Sequence, residues 1–174
     1  MKEIDASFFA RDTLEVARDL LGKIVSVSRC SGRIIEVEAY KDDEASHAFS
    51  RTPRSEIMYS TCGHVYVYFI YGMYCCLNFT TEDGLPGAVL IRGLTPITGV
   101  SLMRKRRGAS EISDLCSGPG KLCIALGVDL TVNSSVVGSK VKVFDDGFVP
   151  SSIVSSSRIG ISKAKELKWR FVGK

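Results

Sequence analysis

Glu36 and Glu38 stand two residues apart in the segment Arg33-Ile-Ile-Glu-Val-Glu-Ala-Tyr40. Read as a strand, that spacing projects Glu36, Glu38 and Tyr40 from one face. Paired carboxylates suggest glycosidic-bond chemistry, in which one acts as an acid and the other as a base or nucleophile. The plainer reading is two strand glutamates facing water. Neighbours on one strand face lie roughly 7 Å apart at their Cα atoms. Side by side, they are poorly placed to flank a sugar from opposite sides. Tyr40, His47, Tyr68 and Arg92 change the reading if the fold gathers them. They would wall a pocket with flat rings and put a carboxylate and a guanidinium at its floor. Flat rings suit a planar base, and a glutamate suits activation of water at a sugar carbon that develops positive charge.

These side chains need elements to position them, and the strongest element is His64–Asn78, HVYVYFIYGMYCCLN. Two apolar, aromatic runs flank Tyr71-Gly72, which predicts a hairpin with a two-residue loop. Alternation puts Tyr66, Tyr68 and Ile70 on one face and Val65, Val67 and Phe69 on the other. Tyr74, Cys76 and Asn78 share a face on the return strand. A tyrosine at the tip exposes a large ring where turns favour Asn, Asp or Gly. Either a neighbouring loop or subunit covers it, or it is a wedge that enters a ligand such as a base stack.

The rest of the chain supplies a frame. Asp12 and Glu15 predict a helix start, Leu14, Ala17, Leu20 and Leu21 its apolar face, and Gly22 its end. Two strands follow, 23–28 and 33–40, joined by a loop containing Gly32, with Ile35, Val37 and Ala39 facing inward. Residues 42–61 lack a period and read as a long loop, a frequent carrier of function. Gly84–Gly87 makes a turn, and 88–93 is a short apolar strand in which Arg92 needs an acidic or polar partner if buried. Pro96–Arg107 reads as a helix. Ser117 caps another that has Pro119 near its first position, and simple capping explains that segment better than a phosphate site. Residues 140–144 and 159–161 read as strands, and 162–172, with Trp169, as a final helix. The pattern predicts one α+β domain over residues 1–174, with a curved, mainly antiparallel β-sheet flanked by helices.

At 174 residues, 45% hydrophobic and 24% charged, the chain has the composition of an ordinary globular domain with a real core. The net charge of +4 is modest, but basic residues cluster at Arg104–Arg107 and between Arg158 and Lys174. Such clusters are commonly solvated surface; beside an aromatic hairpin they make a polyanion partner plausible. Six cysteines without a CxxC pair, and only two histidines, argue against a zinc site and for reduced thiols in an intracellular protein. No signal-peptide core or run long enough to span a membrane is present, so the expectation is a soluble intracellular protein.

Several motifs then fall in one order: RIIEVEAY at 33–40, EASH at 44–47, TPR at 52–54, VYVYFIYGMYCCLN at 65–78, AVLIRG at 88–93, LCSGPGKLC at 115–123 and RIGI at 158–161. Together they closely resemble the alkyladenine (3-methyladenine) DNA glycosylase family from about Phe8 to Val172. The resemblance implies an enzyme that flips a damaged purine out of duplex DNA and hydrolyses its N-glycosidic bond without metal or cofactor. The substrate class would be 3-methyladenine, 7-methylguanine, hypoxanthine and ethenoadenine, met by a monomer on double-stranded DNA.

Carried over by position, Glu38 is the general base for the water, which Arg92 and a main-chain carbonyl near Ile161 also hold. Tyr40 stacks on one face of the base and His47 and Tyr68 on the other. Asn78 obstructs the exocyclic amine of guanine, and Tyr71 fills the gap left in the DNA. Glu36 acquires no family role. Ser55-Glu56 departs from the family's usual Asn-Arg after TPR, which puts local contacts to the DNA backbone in question. Water is the expected nucleophile because no lysine falls among the pocket positions, and Lys41 should turn to the opposite face. The rival readings are a non-catalytic nucleic-acid-binding module that uses its tyrosines as a stacking platform, and a carbohydrate hydrolase using Glu36 and Glu38.

Overall fold

A computed structural model describes residues 1–174. Nine strands form one sheet: β1 (Lys2–Ile4), β2 (Ile24–Val27), β3 (Cys30–Tyr40), β4 (Val65–Ile70), β5 (Tyr74–Thr81), β6 (Gly87–Thr98), β7 (Val141–Asp145), β8 (Ile153–Ser156) and β9 (Arg170–Gly173). Every pairing is antiparallel, in the order β1-β7-β2-β3-β6-β5-β4, with β9 joining β3 and β8 joining β9. Five helices accompany it: α1 (Thr13–Leu20), α2 (Glu56–Ser60), α3 (Val100–Arg107), α4 (Ile112–Leu115) and α5 (Pro119–Leu126). The expected α+β architecture, a curled antiparallel sheet with helices against it, is the one observed. No helix is long and apolar enough to cross a membrane.

Strand parity explains how one sheet carries both a core and a cavity. Val37, Ala39, Val65, Val67, Leu77, Phe79, Val89 and Ile91 all face the main core, where they meet Val16 and Leu20 of α1, Met103 of α3, and Leu122 and Leu126 of α5. Their alternates, among them Glu38, Tyr40, Tyr66, Tyr68, Cys76, Asn78, Leu90 and Arg92, take the other face. Helix α1 starts as expected, with the Asp12 carboxylate accepting the N–H groups of Leu14 and Glu15.

The middle of β3 departs from simple alternation. Ile34 is opposite Leu94 and Glu36 opposite Gly93, which leaves Ile35 unpaired; Val37 is opposite Ile91, which leaves Arg92 unpaired. These paired irregularities shift the strand by one residue, so Ile34, and not the expected Ile35, enters the core. β3 also changes neighbours along its length. Its first part pairs with β2, and Glu36–Glu38 pair with Val172–Arg170 of β9.

Several sequence-level expectations are corrected. Tyr71, Gly72 and Met73 form a three-residue hairpin loop, since Ile70 pairs directly with Tyr74. Ser28-Arg29 connects β2 to β3, and Gly32 lies inside β3 opposite Pro96. A Cβ at Gly32 would come within 3.1 Å of the Thr95 carbonyl, so glycine marks a close strand approach there, not a loop. β6 runs to Thr98 with Pro96 inside it, and α3 begins only after Gly99, whose φ of 75° breaks the strand. The cap of α5 is Gly118, with Pro119 in its first turn, while the Ser117 hydroxyl bonds to Asp114. Residues 42–61 contain a 3-10 turn at His47–Phe49 and α2. Residues 159–161 are a bend, and 162–172 hold no helix; β8 and β9 supply the regular structure there instead. Ala164, Leu167 and Phe171 recur at helical spacing, yet pairing of β9 with β3 decided the outcome.

Phe171 is the core side chain of β9 and is fully buried, with the Arg18 guanidinium 4.4 Å from its ring centroid. Phe171→Ala should therefore cost about 3–5 kcal/mol of unfolding free energy. Denaturant melts measure this, and a loss below about 1 kcal/mol would show that β9 does not help hold β3.

Candidate active site

The floor of the site is built on β3 and β6. Glu38 has no solvent exposure, although an unpaired buried carboxylate is strongly disfavoured. Three donors surround it: the Tyr40 hydroxyl at 2.8 Å and Arg92 Nη1 at 3.3 Å on Oε2, and the Ile159 N–H at 2.6 Å on Oε1. Arg92 also donates through Nε to Glu36 at 3.1 Å, and Arg170 of β9 donates to the same Glu36 oxygen at 2.6 Å. The result is a chain of alternating charge, Arg170–Glu36–Arg92–Glu38. The unpaired position of Arg92 aims its guanidinium between the two glutamates. Glu36 thus orients Arg92, and Glu38 is the carboxylate at the cavity floor.

The cavity above encloses about 730 Å³. Tyr40, His47, Tyr68, Tyr71, Asn78, Arg92 and Ile161 all line it; Glu38 lies beneath the lining. His47 and Tyr68 pack edge to face at 4.6 Å between centroids, and Tyr66 bonds its hydroxyl to His47 Nδ1 at 2.8 Å. Only Nε2 of His47 is left for a ligand. Burial, reinforced by the nearby Arg54 cation, lowers the imidazole pKa, so the ring is neutral near pH 7. Burial raises the Tyr40 phenol first, and the Glu38 anion adds to the shift, which keeps its proton as a donor to that carboxylate. Burial likewise raises the Cys76 thiol, which lines the same wall, so it stays protonated and is a poor nucleophile. Lys41 points elsewhere, pairing with Asp12 at 2.7 Å and Glu82 at 2.8 Å.

Asn78 is almost fully buried, and its two amide hydrogens go to the carbonyls of Tyr66 (3.0 Å) and Cys76 (3.2 Å). Those two acceptors fix the amide orientation and leave Oδ1 as its unused polar atom. At the hairpin tip, Tyr71 is 79% exposed and has φ of 53°, a conformation a non-glycine residue adopts at a cost. Phe69 and Met73 are also exposed there, so no other part of the chain covers the tip.

Sequence reasoning missed three contributors. Arg158 is buried, with its Cζ 4.6 Å from the Tyr40 ring centroid and 5.2 Å from that of Trp169. Arg54 lies 4.9 Å from the Tyr68 ring and donates to the Phe69 carbonyl at 3.0 Å, which ties the 50–55 loop to the hairpin. The main chain meets Glu38 through the N–H of Ile159, two residues before Ile161, which lines the cavity. No pattern signalled a contact across more than a hundred residues. The Ser55-Glu56 departure has a local account. Ser55 is buried, donating to the Ser50 carbonyl, and Glu56 forms a two-pronged pair with Arg51.

A neutral, partly buried His47 makes stability depend on pH. Its folded-state pKa lies below the ordinary 6.5, so this contribution is fully present above that value and is lost as pH falls through the folded value. Unfolding free energy should therefore decline on acidification below pH ~6.5, and His47→Gln should flatten that part of the profile. Chemical denaturation across that range measures it, and an unaltered profile in the variant would exclude His47 as the cause.

Comparison with known proteins places the chain in a family. The family model for methylpurine-DNA glycosylase (MPG) matches residues 7–174. A protein of Rhizobium etli is 48% identical over 167 residues, covering 95% of this chain and 82% of that protein. One of Agrobacterium fabrum is 42% identical over 171 residues (97% and 88%), and one of Desulfitobacterium hafniense is 42% identical over 192 residues (98% and 95%). Each carries the provisional name 3-methyladenine DNA glycosylase. With a family model spanning nearly its whole length and such relatives along it, the chain belongs to the methylpurine-DNA glycosylase family.

Proposed function

We propose that this protein excises 3-methyladenine and related damaged purines, 7-methylguanine, hypoxanthine and ethenoadenine among them, from double-stranded DNA. It acts as a monomer, hydrolysing the N-glycosidic bond with water and no lyase step. The observation that carries this reading is a fully buried glutamate, held by three donors, beneath a cavity walled by Tyr40, His47 and Tyr68. A carboxylate offers about four lone-pair sites. Three are occupied, so one remains for the attacking water. Glu38, held by Arg92 and the Ile159 N–H, is placed to take that water's proton as the sugar carbon becomes cationic.

The aromatic walls fit a planar base between Tyr40 on one side and His47 with Tyr68 on the other. Asn78, its amide fixed by two carbonyls, presents a rigid edge that obstructs the exocyclic amine of guanine. Methylated purines that are already cationic leave easily and need little acid help, whereas neutral hypoxanthine depends more on the site. A purely binding role explains the tyrosines but gives no purpose to a buried Glu38–Arg92 pair, which costs desolvation.

Glu38→Gln tests the chemistry. All three partners of the carboxylate are donors, so an amide both loses its basicity and sets an NH2 against another donor. Excision should fall by at least about 10²-fold in single-turnover assays, while lesion-duplex binding persists. Retention of full excision would remove Glu38 from the mechanism.

Tyr71 gives a second test, because its exposed ring and positive φ contribute nothing to the core. Asn tolerates that conformation better. Tyr71→Asn should therefore leave the melting temperature equal or higher, yet slow excision from duplex DNA, where opening the stack costs a few kcal/mol. Lesions in single strands should be spared in comparison. Equal losses on both substrates, with a lower melting temperature, would contradict the wedge.

A further inference from the structure

The glycosylase chemistry above leaves one buried charged pair unused. Arg158 has no exposed side-chain surface, and its guanidinium makes two bonds to Asp43, at 2.5 and 3.0 Å, and a third to the Ala39 carbonyl at 3.0 Å. The ring of Tyr40 lies 4.6 Å from the same guanidinium, while its Nε is buried without an acceptor. Ion pairs buried in this way seldom add net stability over apolar side chains of the same volume. A planar fork of fixed donors does impose geometry, and arginine supplies this where lysine does not.

We propose that the Arg158–Asp43 pair is a positioning device for base excision, one that locks three parts of the site into a single arrangement; the inference rests on the glycosylase reading. The first part is the residue after Arg158, Ile159, whose N–H bonds Glu38 at 2.6 Å. The second is Tyr40. Arg158 backs its ring and bonds the adjacent Ala39 carbonyl, and the Ala39 N–H goes to the Trp169 carbonyl at 2.8 Å. The third is the turn leading to His47. Asp43 accepts the Ala45 N–H through its side chain and the Ser46 N–H through its carbonyl. One guanidinium thereby connects the base, the stacking ring and the opposite aromatic wall, which come from separate segments. Misplacement by about 1 Å costs on the order of 10²-fold in rate, so such a connection bears on chemistry more than on affinity.

The test compares wild type, Asp43→Asn, Asp43→Glu and Arg158→Lys. It uses a duplex carrying one hypoxanthine and measures single-turnover excision, duplex affinity, melting temperature and amide exchange at residues 159–161. The variants should bind the duplex normally but excise on the order of 10²-fold more slowly. Amide exchange at 159–161 should accelerate. Asp43→Glu keeps the charge and displaces the fork, so it separates position from folding if Asp43→Asn melts early. Wild-type rates in a folded variant overturn the inference, as does a loss matched by the unfolded fraction with unchanged amide exchange at 159–161. Failure of wild type to release any base would instead overturn the glycosylase reading, while the exchange data still report on the tie itself.

Discussion

The constraint on which the site depends is the placement of a carboxylate away from bulk solvent. Removing an ionised glutamate from solvent is expensive, and partners are the remedy a fold has. Around Glu38 those partners come from three places: its own strand through Tyr40, the neighbouring strand through Arg92, and a distant bend through Ile159. Arg92 in turn requires an anion, which Glu36 provides, and Glu36 is shared with Arg170. Only Glu38 is fully buried, and each charge in the chain is held by the next.

Sheet geometry makes this arrangement feasible. Strand alternation sends the aliphatic residues of β3, β4, β5 and β6 toward the helices and the aromatic and polar ones toward the cavity. Two unpaired residues in facing strands, Ile35 and Arg92, adjust the register where the charges lie. Irregularities of this kind bend a strand and re-aim side chains. Here they turn a regular ladder into a floor with an arginine between two acids.

The alternating parts of this design were legible in the sequence. The faces of β4 and β5 follow from period two, and Glu36, Glu38 and Tyr40 do share a face. The cap of α1 at Asp12 is a local hydrogen-bond pattern and was readable as such. What could not be read was non-local. Ile34 replaced Ile35 in the core because of a bulge that only the partner strand creates. Residues 162–172 looked helical in isolation, yet β9 exists because β3 offers an open edge beside Glu36–Glu38. The third hairpin-loop residue, Met73, reflects how strand twist closes the turn. Arg158 carried no local signature, since its meaning depends on Asp43, Tyr40 and Trp169 meeting it in space.

The exchange of neighbours along β3 has a consequence for how the protein is made. β2 and β3 are adjacent in sequence and β6 joins them from within the first hundred residues, whereas the Ile159 N–H and β9 come more than a hundred residues after Glu38. Loop closure over that separation is slow compared with local pairing. Until it happens, Glu38 lacks its Ile159 donor and Tyr40 the Arg158 guanidinium behind its ring, so a chain still emerging from the ribosome has most of the sheet but an incomplete floor. Assembly order thus follows from topology: the floor under the cavity closes only when the last strands of the frame have arrived.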